Sequence, residues 1–200
     1  MTGALAMKRV IDVLGASVLL LVTSPLWVIV AVLVLRDSPG PVFFRQVRIG
    51  LNGRPFLLVK FRSMYVGAER EWHPPGADEF LDYRFQEADD RRVTRIGRWL
   101  RRTSLDELPQ ILNIIRGDMS LVGPRPEIPE MVQLYRPEMH RRHRMRPGLT
   151  GLAQVSGRGM LTTGETMAYD LQYCDHWSLA LDMAILGRTA CEIFRDNGAR

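Results

Sequence analysis

Two adjacent acidic residues, Asp106 and Glu107, are the first candidates for chemistry in this chain of 200 residues. Residues 104–110 precede an apolar run that ends at Ile115, and this pattern predicts the start of a helix. Ser104 and Glu107 have the spacing of a capping box, which is a sufficient structural explanation of both. It does not explain Asp106, whose carboxylate at a helix start would stay ionised next to a phosphate site. On residue types alone, a structural cap and a nucleophile that also holds Mg²⁺ both remain open.

The charge of the chain indicates an anionic partner. Lysine and arginine number 27 against 22 aspartate and glutamate residues, which leaves a formal net charge of +5. Nucleic acid, an acidic lipid surface and a phosphorylated substrate all meet that description. The sequence contains no P-loop consensus, no HExxH and no GxSxG motif. His140 and His143 have a spacing that metal ligands use, but they lie among arginines and are predicted to belong to a solvated basic face.

An apolar run of 26 residues, Val10 to Leu35, is interrupted only by Asp12 and a few small or hydroxyl residues. As a straight helix it would be roughly 39 Å long, which exceeds the hydrocarbon core of about 30 Å. A single spanning helix is therefore one prediction. A secretory signal fits less well, because the run is too long for one and no cleavage site of small residues follows it.

The middle and the ends of this run favour a second topology. Ser24 and Pro25 lie near its centre, where proline removes a helix hydrogen bond and bends the axis. Lys8 and Arg9 precede the run and further arginines follow it, so both ends carry positive charge. A spanning helix usually shows that bias on one side only. The pattern predicts a re-entrant membrane helix, broken at Ser24-Pro25, which enters and leaves by the same face.

Two segments after the apolar run, residues 42–49 and 54–61, are rich in β-branched and aromatic residues. Asn52 and Gly53 between them are typical of the turn of a β-hairpin. The sequence therefore predicts a small two-stranded sheet close to the bilayer. Its basic residues would project from that sheet, towards the membrane or simply into solvent: Arg45, Arg48, Lys60 and Arg62.

The remaining segments differ in composition and periodicity. Residues 67–90 mix acids, prolines and scattered aromatics and indicate a mobile insertion or lid. Residues 91–102 predict a basic amphipathic helix that lies on an anionic membrane surface or packs its apolar face into the core. Residues 128–145 predict another helix with a basic end, and residues 146–159 a glycine-rich loop whose backbone closely approaches another group. Residues 165–195 predict the last helical region.

Several motifs of this chain resemble those of the bacterial sugar transferase family, the monotopic phosphoglycosyl transferases that start glycan assembly on polyprenyl phosphate. The resemblance covers nearly the whole chain in order, apart from residues 67–90. Larger relatives carry extra spanning helices before this module, so the chain is expected to be the minimal form. The matching motifs are Lys8-Arg9 before the helix with Ser24-Pro25, residues 40–46, Lys60-Phe61-Arg62-Ser63-Met64, and residues 94–97, 104–110, 117–126 and 146–155.

This resemblance implies a two-step covalent mechanism. Asp106 would attack the β-phosphate of a nucleoside diphosphate sugar, usually a UDP-sugar, and UMP would leave. Polyprenyl phosphate would then attack the phosphosugar–aspartyl intermediate, which gives ping-pong kinetics. Glu107 would bind the metal or orient the nucleophile, and Mg²⁺ on both carboxylates would stabilise the leaving group. Basic residues in or near the matching motifs would bind substrate phosphates: Arg101, Arg125, Lys60, Arg62 and Arg146.

We predict an α+β, mainly α-helical fold with a re-entrant anchor over residues 1–37 and a compact cytosolic catalytic domain over residues 38–200. The hairpin and the amphipathic helices would lie at the membrane interface. The expected partners are a UDP-sugar, polyprenyl phosphate and membrane lipid, without nucleic acid, at the cytoplasmic face of the bacterial inner membrane. Two alternatives stay open: a membrane-anchored basic binding module without chemistry, and a hydrolase of lipid-linked diphosphates with water as the acceptor.

Overall fold

Helices dominate the part of the chain that the computed structural model describes, residues 2–84, 90–157 and 160–194. Two small sheets accompany them, which confirms the mainly helical α+β class. The α-helices are α1 (Thr2–Asp37), α2 (Arg95–Arg102), α3 (Gln110–Arg116), α4 (Pro129–Val132), α5 (Leu152–Gly157), α6 (Thr163–Asp175) and α7 (Leu179–Phe194). The strands are β1 (Phe43–Ile49), β2 (Pro55–Phe61), β3 (Ser120–Val122) and β4 (Gly148–Thr150).

Helix α1 has 36 residues and, by length and composition, is apolar enough to cross a membrane. It continues through Pro25, so the chain keeps a helical backbone at Ser24-Pro25, and the bend of the helix axis expected there stays a prediction. Proline has no N–H to offer the carbonyl of Leu21, and the Ser24 hydroxyl donates to that oxygen instead, at 3.0 Å. A neighbouring hydroxyl therefore satisfies the backbone group that the proline leaves without its usual partner.

One face of α1 packs against the rest of the chain near both of its ends. Lys8, Asp12 and Ala16 are buried in the first half of the helix, and Val30 and Val34 in the second half. Helix α1 therefore contributes directly to the core of the segments that follow it. The opposite face keeps large apolar side chains exposed, among them Leu14, Val18, Leu21, Val28, Val32 and Leu35.

The polar residues in the first half of α1 attach it to two other elements. The Lys8 ammonium donates to the carboxylate of Asp182 in α7 at 2.7 Å. The Asp12 carboxylate accepts hydrogen bonds from the Ser120 hydroxyl at 3.0 Å and from the Leu121 N–H at 2.9 Å, both in β3. Lys8 is therefore a buried ion-pair partner, whereas the sequence suggested a charge at the membrane surface.

Strands β1 and β2 pair as the predicted antiparallel hairpin, with Phe43 opposite Phe61. Asn52 and Gly53 in the connection have positive φ angles of 55° and 74°. These are the residue types that tolerate such angles most readily, so local turn chemistry explains the hairpin. Phe61 is fully buried between α1 and α2, which ties the hairpin to the helices.

A second sheet was not predicted from the sequence. Strands β3 and β4 pair in parallel, with Ser120 opposite Gly148. Strand β4 lies within residues 146–159, which were interpreted as a loop, and α5 follows it directly. The close approach expected of these glycines is to the chain itself, because a Cβ atom on Gly148 would lie 2.1 Å from the nitrogen of Gly123. Residues 158 and 159 lie outside the described residues.

The basic amphipathic helix begins later than predicted. Helix α2 starts at Arg95 because the Thr94 hydroxyl caps it by accepting the N–H of Gly97 at 2.9 Å. Leu100 is fully buried against α1 and β2, whereas Trp99 is exposed. The apolar face of α2 therefore packs into the core, which is the second of the two alternatives for this helix.

Residues 128–145 do not form one helix. Helix α4 is short, and a 3-10 helix follows over Pro137–Arg144. Arg142 and His143 in that 3-10 helix are buried, so the predicted solvated basic face is wrong for these two residues. The last helical region is likewise divided, into α6 and α7.

The described part of the predicted insertion, residues 67–84, packs against the C-terminal half of the chain. Phe80 is buried in a cluster with methionines from α4 and α6. The carbonyl of Tyr83 accepts the N–H of Thr163 at the start of α6, at 2.8 Å. Residues 85–89 lie outside the described residues, and the mobility of the insertion stays a prediction.

The Lys8–Asp182 ion pair generates a stability prediction. Lys8→Met would leave the Asp182 carboxylate buried without its cation, and removal of one partner of a buried pair costs about 3–5 kcal/mol. We expect the unfolding temperature of the detergent-solubilised protein to fall by several degrees. Arg36→Met, at an exposed position of the same helix, is the control and should unfold like the parent. Equal unfolding temperatures for the two variants would contradict the role of this pair as an attachment.

Candidate active site

The turn between α2 and α3 positions the two acidic residues. Ser104 has a left-handed backbone with φ 56°, which is uncommon for a residue with a side chain, and a single 3-10 turn follows over Leu105–Glu107. Leu105 packs against the apolar cluster of α1 and α2, and Asp106 is only 6% exposed. The Ser104 side chain makes no capping hydrogen bond, so the predicted capping box is wrong.

Three cationic side chains from separate elements lie within electrostatic reach of Asp106. Lys60 is in β2, Arg101 is in the last turn of α2, and Arg125 is in the turn after β3. All three favour the ionised form of the Asp106 carboxyl. The structure thus brings together three of the five residues that were predicted to bind phosphate.

Glu107 is oriented by one of these cations. The Arg125 guanidinium donates to the Glu107 carboxylate at 2.8 Å, a charge-assisted hydrogen bond. The Arg125 side chain is 51% exposed, whereas that of Glu107 is 20% exposed. One terminal nitrogen of the Arg125 guanidinium thus binds Glu107. The remaining donors face solvent and are available to a phosphate.

Two residues that the sequence did not assign to the site orient the other cations. The hydroxyl of Ser63 accepts a hydrogen bond from Nε of Arg101 at 3.1 Å. The Lys60 ammonium lies over the ring of Phe44, 5.2 Å from its centroid, which is a cation–π geometry. The sequence did mark Ser63, because it belongs to the family motif Lys60-Phe61-Arg62-Ser63-Met64. That its hydroxyl binds Arg101 of α2 follows only from the tertiary structure.

The electrostatics of Asp106 differ from the expectation. Burial raises the pKa of the Asp106 carboxyl most, and Glu107 raises it further by repulsion between like charges. Asp106 lies in a three-residue 3-10 turn before α3, and not in the first turn of that helix as expected, so the contribution of the helix dipole stays a prediction. The three cations favour the ionised carboxylate. Burial also lowers the pKa of Lys60 to about 8, which still leaves its ammonium charged at neutral pH.

Arg62 lies away from this group. Its guanidinium donates to the carbonyl of Pro41 at 2.6 Å, to the Ser38 hydroxyl, to the Ser38 carbonyl at 2.8 Å and to the Val34 carbonyl at 3.5 Å. These acceptors belong to the C-terminal end of α1 and the segment after it. The structure therefore uses Arg62 to close the end of α1, although the sequence suggested a phosphate ligand.

Arg146 and Arg9 lie together at the C-terminal end of α3. Arg146 donates to the carbonyl of Gly117 at 2.9 Å, and Arg9 donates to the carbonyls of Ile114 and Ile115 at 2.7 Å and 3.0 Å. Cations at the end of a helix satisfy its unpaired carbonyls. Helix α3 is about 10 Å long. The predicted phosphate ligand Arg146 is therefore separated by that helix from the turn that holds Asp106.

Comparison with known proteins gives a consistent set of matches. The model of the family described as bacterial sugar transferase matches residues 3–196. A UDP-glucose:undecaprenyl-phosphate glucose-1-phosphate transferase from Caulobacter vibrioides is 46% identical over 200 residues, covering 96% of this chain and 71% of the relative. The exopolysaccharide production protein ExoY from Rhizobium meliloti is 42% identical, covering 96% and 87%. An Escherichia coli relative with the same name as the Caulobacter protein is 40% identical, and the chain spans 41% of it.

Substitution of Arg62 tests whether this residue stabilises the fold or binds phosphate. Arg62→Met removes hydrogen bonds from a charged group to the end of α1, each worth about 1.5–3 kcal/mol. We expect a markedly lower unfolding temperature, with affinity for inorganic diphosphate retained by the molecules that remain folded. Arg101→Met is the matched comparison and should weaken diphosphate binding with a smaller loss of stability. A variant at Arg62 that unfolds like the parent but no longer binds diphosphate would restore the original prediction.

Proposed function

Because the chain belongs to the bacterial sugar transferase family, we propose that it transfers glucose-1-phosphate from UDP-glucose to undecaprenyl phosphate, as the name of the Caulobacter relative describes. The observation that carries this proposal is the buried Asp106 beside Glu107, with Lys60, Arg101 and Arg125 around it. A carboxylate nucleophile within reach of three cations suits attack on a diphosphate. A binding module without chemistry gives no reason to bury one carboxylate next to another.

In the first step, a carboxylate oxygen of Asp106 attacks the β-phosphorus of UDP-glucose. A new oxygen–phosphorus bond forms, the bond from this phosphorus to the bridging oxygen breaks, and UMP leaves with that oxygen. The product is a phosphosugar carried on Asp106. Lys60, Arg101 and Arg125 stabilise the negative charge that develops on the transferred phosphoryl group and on UMP.

In the second step, a phosphate oxygen of undecaprenyl phosphate attacks the same phosphorus. The bond between phosphorus and Asp106 breaks, which restores the free carboxylate and releases undecaprenyl diphosphate glucose. The two substrates use one carboxylate in turn, so the kinetics are ping-pong. No water takes part in either step, which distinguishes this reaction from hydrolysis of a lipid-linked diphosphate.

In the proposed reaction, the carboxylates of Asp106 and Glu107 would hold a Mg²⁺ ion. Within residues 2–84, 90–157 and 160–194, no group of three or more metal-ligating side chains occurs, but Mg²⁺ commonly uses one or two carboxylates together with substrate phosphates. The repulsion that Glu107 exerts on Asp106 is the kind of charge that a cation relieves. Bound there, Mg²⁺ would neutralise the diphosphate of the sugar nucleotide.

The proposed topology keeps both ends of α1 on the cytoplasmic side of the membrane. At the first end Lys8 pairs with Asp182, and at the other end the Asp37 carboxylate accepts the N–H of Ile96 at 2.9 Å. A spanning helix would separate its ends by the hydrocarbon core of about 30 Å, and the same domain would not meet both. These attachments support a re-entrant anchor whose exposed apolar face is covered by lipid. Asp106 then lies where a lipid carrier and a water-soluble nucleotide both reach it.

The covalent intermediate provides the decisive test of the reaction. Incubation with UDP-glucose and Mg²⁺, without lipid, should add the mass of one phosphoglucose, mapped to the peptide that contains Asp106. Undecaprenyl phosphate should remove this mass, and Asp106→Asn should never acquire it. Glu107→Gln should load more slowly, since Glu107 has a supporting role.

Intact-protein mass spectrometry distinguishes the alternatives. A hydrolase would discharge the adduct in water alone, and a binding module would show no adduct. An adduct on Glu107, or turnover that survives in Asp106→Asn, would contradict the assignment of the nucleophile. UDP-galactose in place of UDP-glucose tests the sugar, with release of UMP as the measurement.

The topology is tested by cysteine labelling in intact cells. Gly3→Cys and Asn52→Cys, each in a background without Cys174 and Cys191, should both resist a membrane-impermeant reagent until the cells are permeabilised. Both positions belong to the cytoplasmic side in a re-entrant arrangement. Labelling of residue 3 from outside, with residue 52 protected, would establish a spanning helix instead.

A further inference from the structure

Arg48 and Arg142 bind the turn that carries Arg125, and we infer that both are positioning residues for the transfer reaction, an inference that rests on the proposed function. Arg142 donates to the carbonyl of Arg125 at 2.7 Å. Arg48 donates to the carbonyl of Pro126, the next residue, at 3.0 Å. Two successive carbonyls of the turn are thus held by guanidinium groups from two different elements.

The residue before Arg125 is held as well. The carbonyl of Pro124 accepts the N–H of Gly148 in β4 at 2.9 Å. Proline also restricts φ at positions 124 and 126. Three consecutive carbonyls therefore have fixed partners, and the backbone on both sides of Arg125 has little remaining freedom.

The burial of Arg142 indicates a geometric role. It is 3% exposed, and it also donates to the carboxylate of Asp170 in α6 and to the hydroxyl of Tyr135. A buried ion pair contributes little net stability compared with well-packed apolar residues, because both charges lose their hydration. What this arginine adds is a rigid connection between α6 and the carbonyl of Arg125.

Arg48 makes the corresponding connection to the hairpin. It extends from β1 and donates to Gln46 in the same strand at 2.7 Å, while the Glu127 carboxylate lies 3.7 Å away. The N–H of Ile49 also donates to the carbonyl of Glu127 at 2.8 Å. Strand β1 is therefore attached to the chain immediately after the turn.

The side chain of Arg125 explains why its backbone has to be held. It is half-exposed, and Glu107 is its ion-pair partner. Its distance from Glu107 and from the neighbouring Asp106 therefore depends on where the turn places its Cα atom. Displacement of a catalytic group by about 1 Å lowers the rate of an enzyme by up to about 100-fold.

A double-mutant cycle tests whether the two arginines act through Arg125. Arg142→Lys and Arg48→Lys each keep the charge but shorten the reach to the carbonyl, and each should lower kcat by about 10-fold to 100-fold with a smaller change in KM for UDP-glucose. In an Arg125→Ala background, the same substitutions should lower kcat by less than about 2-fold, because the residue that they position is gone.

Neighbouring arginines serve as matched controls. Arg45→Lys, at an exposed position of β1, and Arg141→Lys, where the parental side chain is 41% exposed, keep the charge and should retain the parental kcat. Unfolding temperatures are measured for every variant. If Arg142→Lys does not fold, Arg48→Lys alone tests the positioning role. The parental Arg48 side chain is 18% exposed, so its replacement disturbs the core less.

The outcomes separate this inference from the proposed function. Losses that are fully additive with Arg125→Ala, or single variants with parental kcat, would overturn the positioning role while the parent still forms its phosphosugar adduct. A parent that never forms the adduct would overturn the proposed function and, with it, this inference.

Discussion

A carboxylate that is buried beside a second carboxylate requires positive charge around it, and this constraint organises the structure around Asp106. Burial and Glu107 both favour the protonated acid. In its proposed role as the nucleophile Asp106 has to be ionised, and Lys60, Arg101 and Arg125, from β2, α2 and the turn after β3, all favour that form. The same cations suit the phosphates of the substrate. In the proposed reaction, this one arrangement both keeps the Asp106 carboxylate ionised and attracts the phosphate that it attacks.

Other arginines of the chain donate to backbone carbonyls and to a carboxylate inside the protein. Arg62 closes the end of α1 and Arg146 closes the end of α3, each by donating to backbone carbonyls. Arg142 connects α6 to the turn that carries Arg125. The planar guanidinium suits all these tasks, because its donors satisfy several oxygens at once. Part of the basic composition of the chain therefore serves hydrogen bonding within the protein.

Helix α1 packs directly against the elements that carry the candidate site residues. Leu58 of β2 and residues of α3 share one apolar cluster with Ala16 of α1, and Leu100 of α2 shares another with Val34. The elements that bear Lys60 and Arg101 are thus packed directly on the apolar helix. In the proposed topology, this packing determines how far the site lies from the bilayer and hence whether a lipid phosphate reaches it.

The sequence by itself determined the features that depend on local chemistry and on recognisable motifs. These include the long apolar helix, the hairpin with its Asn52-Gly53 turn, the family, and the candidates Asp106, Glu107 and Arg125. Tertiary structure alone decided which basic residues lie near Asp106, and it decided the sign of the pKa shift of that carboxyl. It also produced the parallel pairing of β3 with β4, whose strands are separated in sequence by α4 and a 3-10 helix. The physical reason is that burial, ion pairing and parallel strand pairing depend on distances between residues far apart in the chain, which spacing along a sequence does not specify.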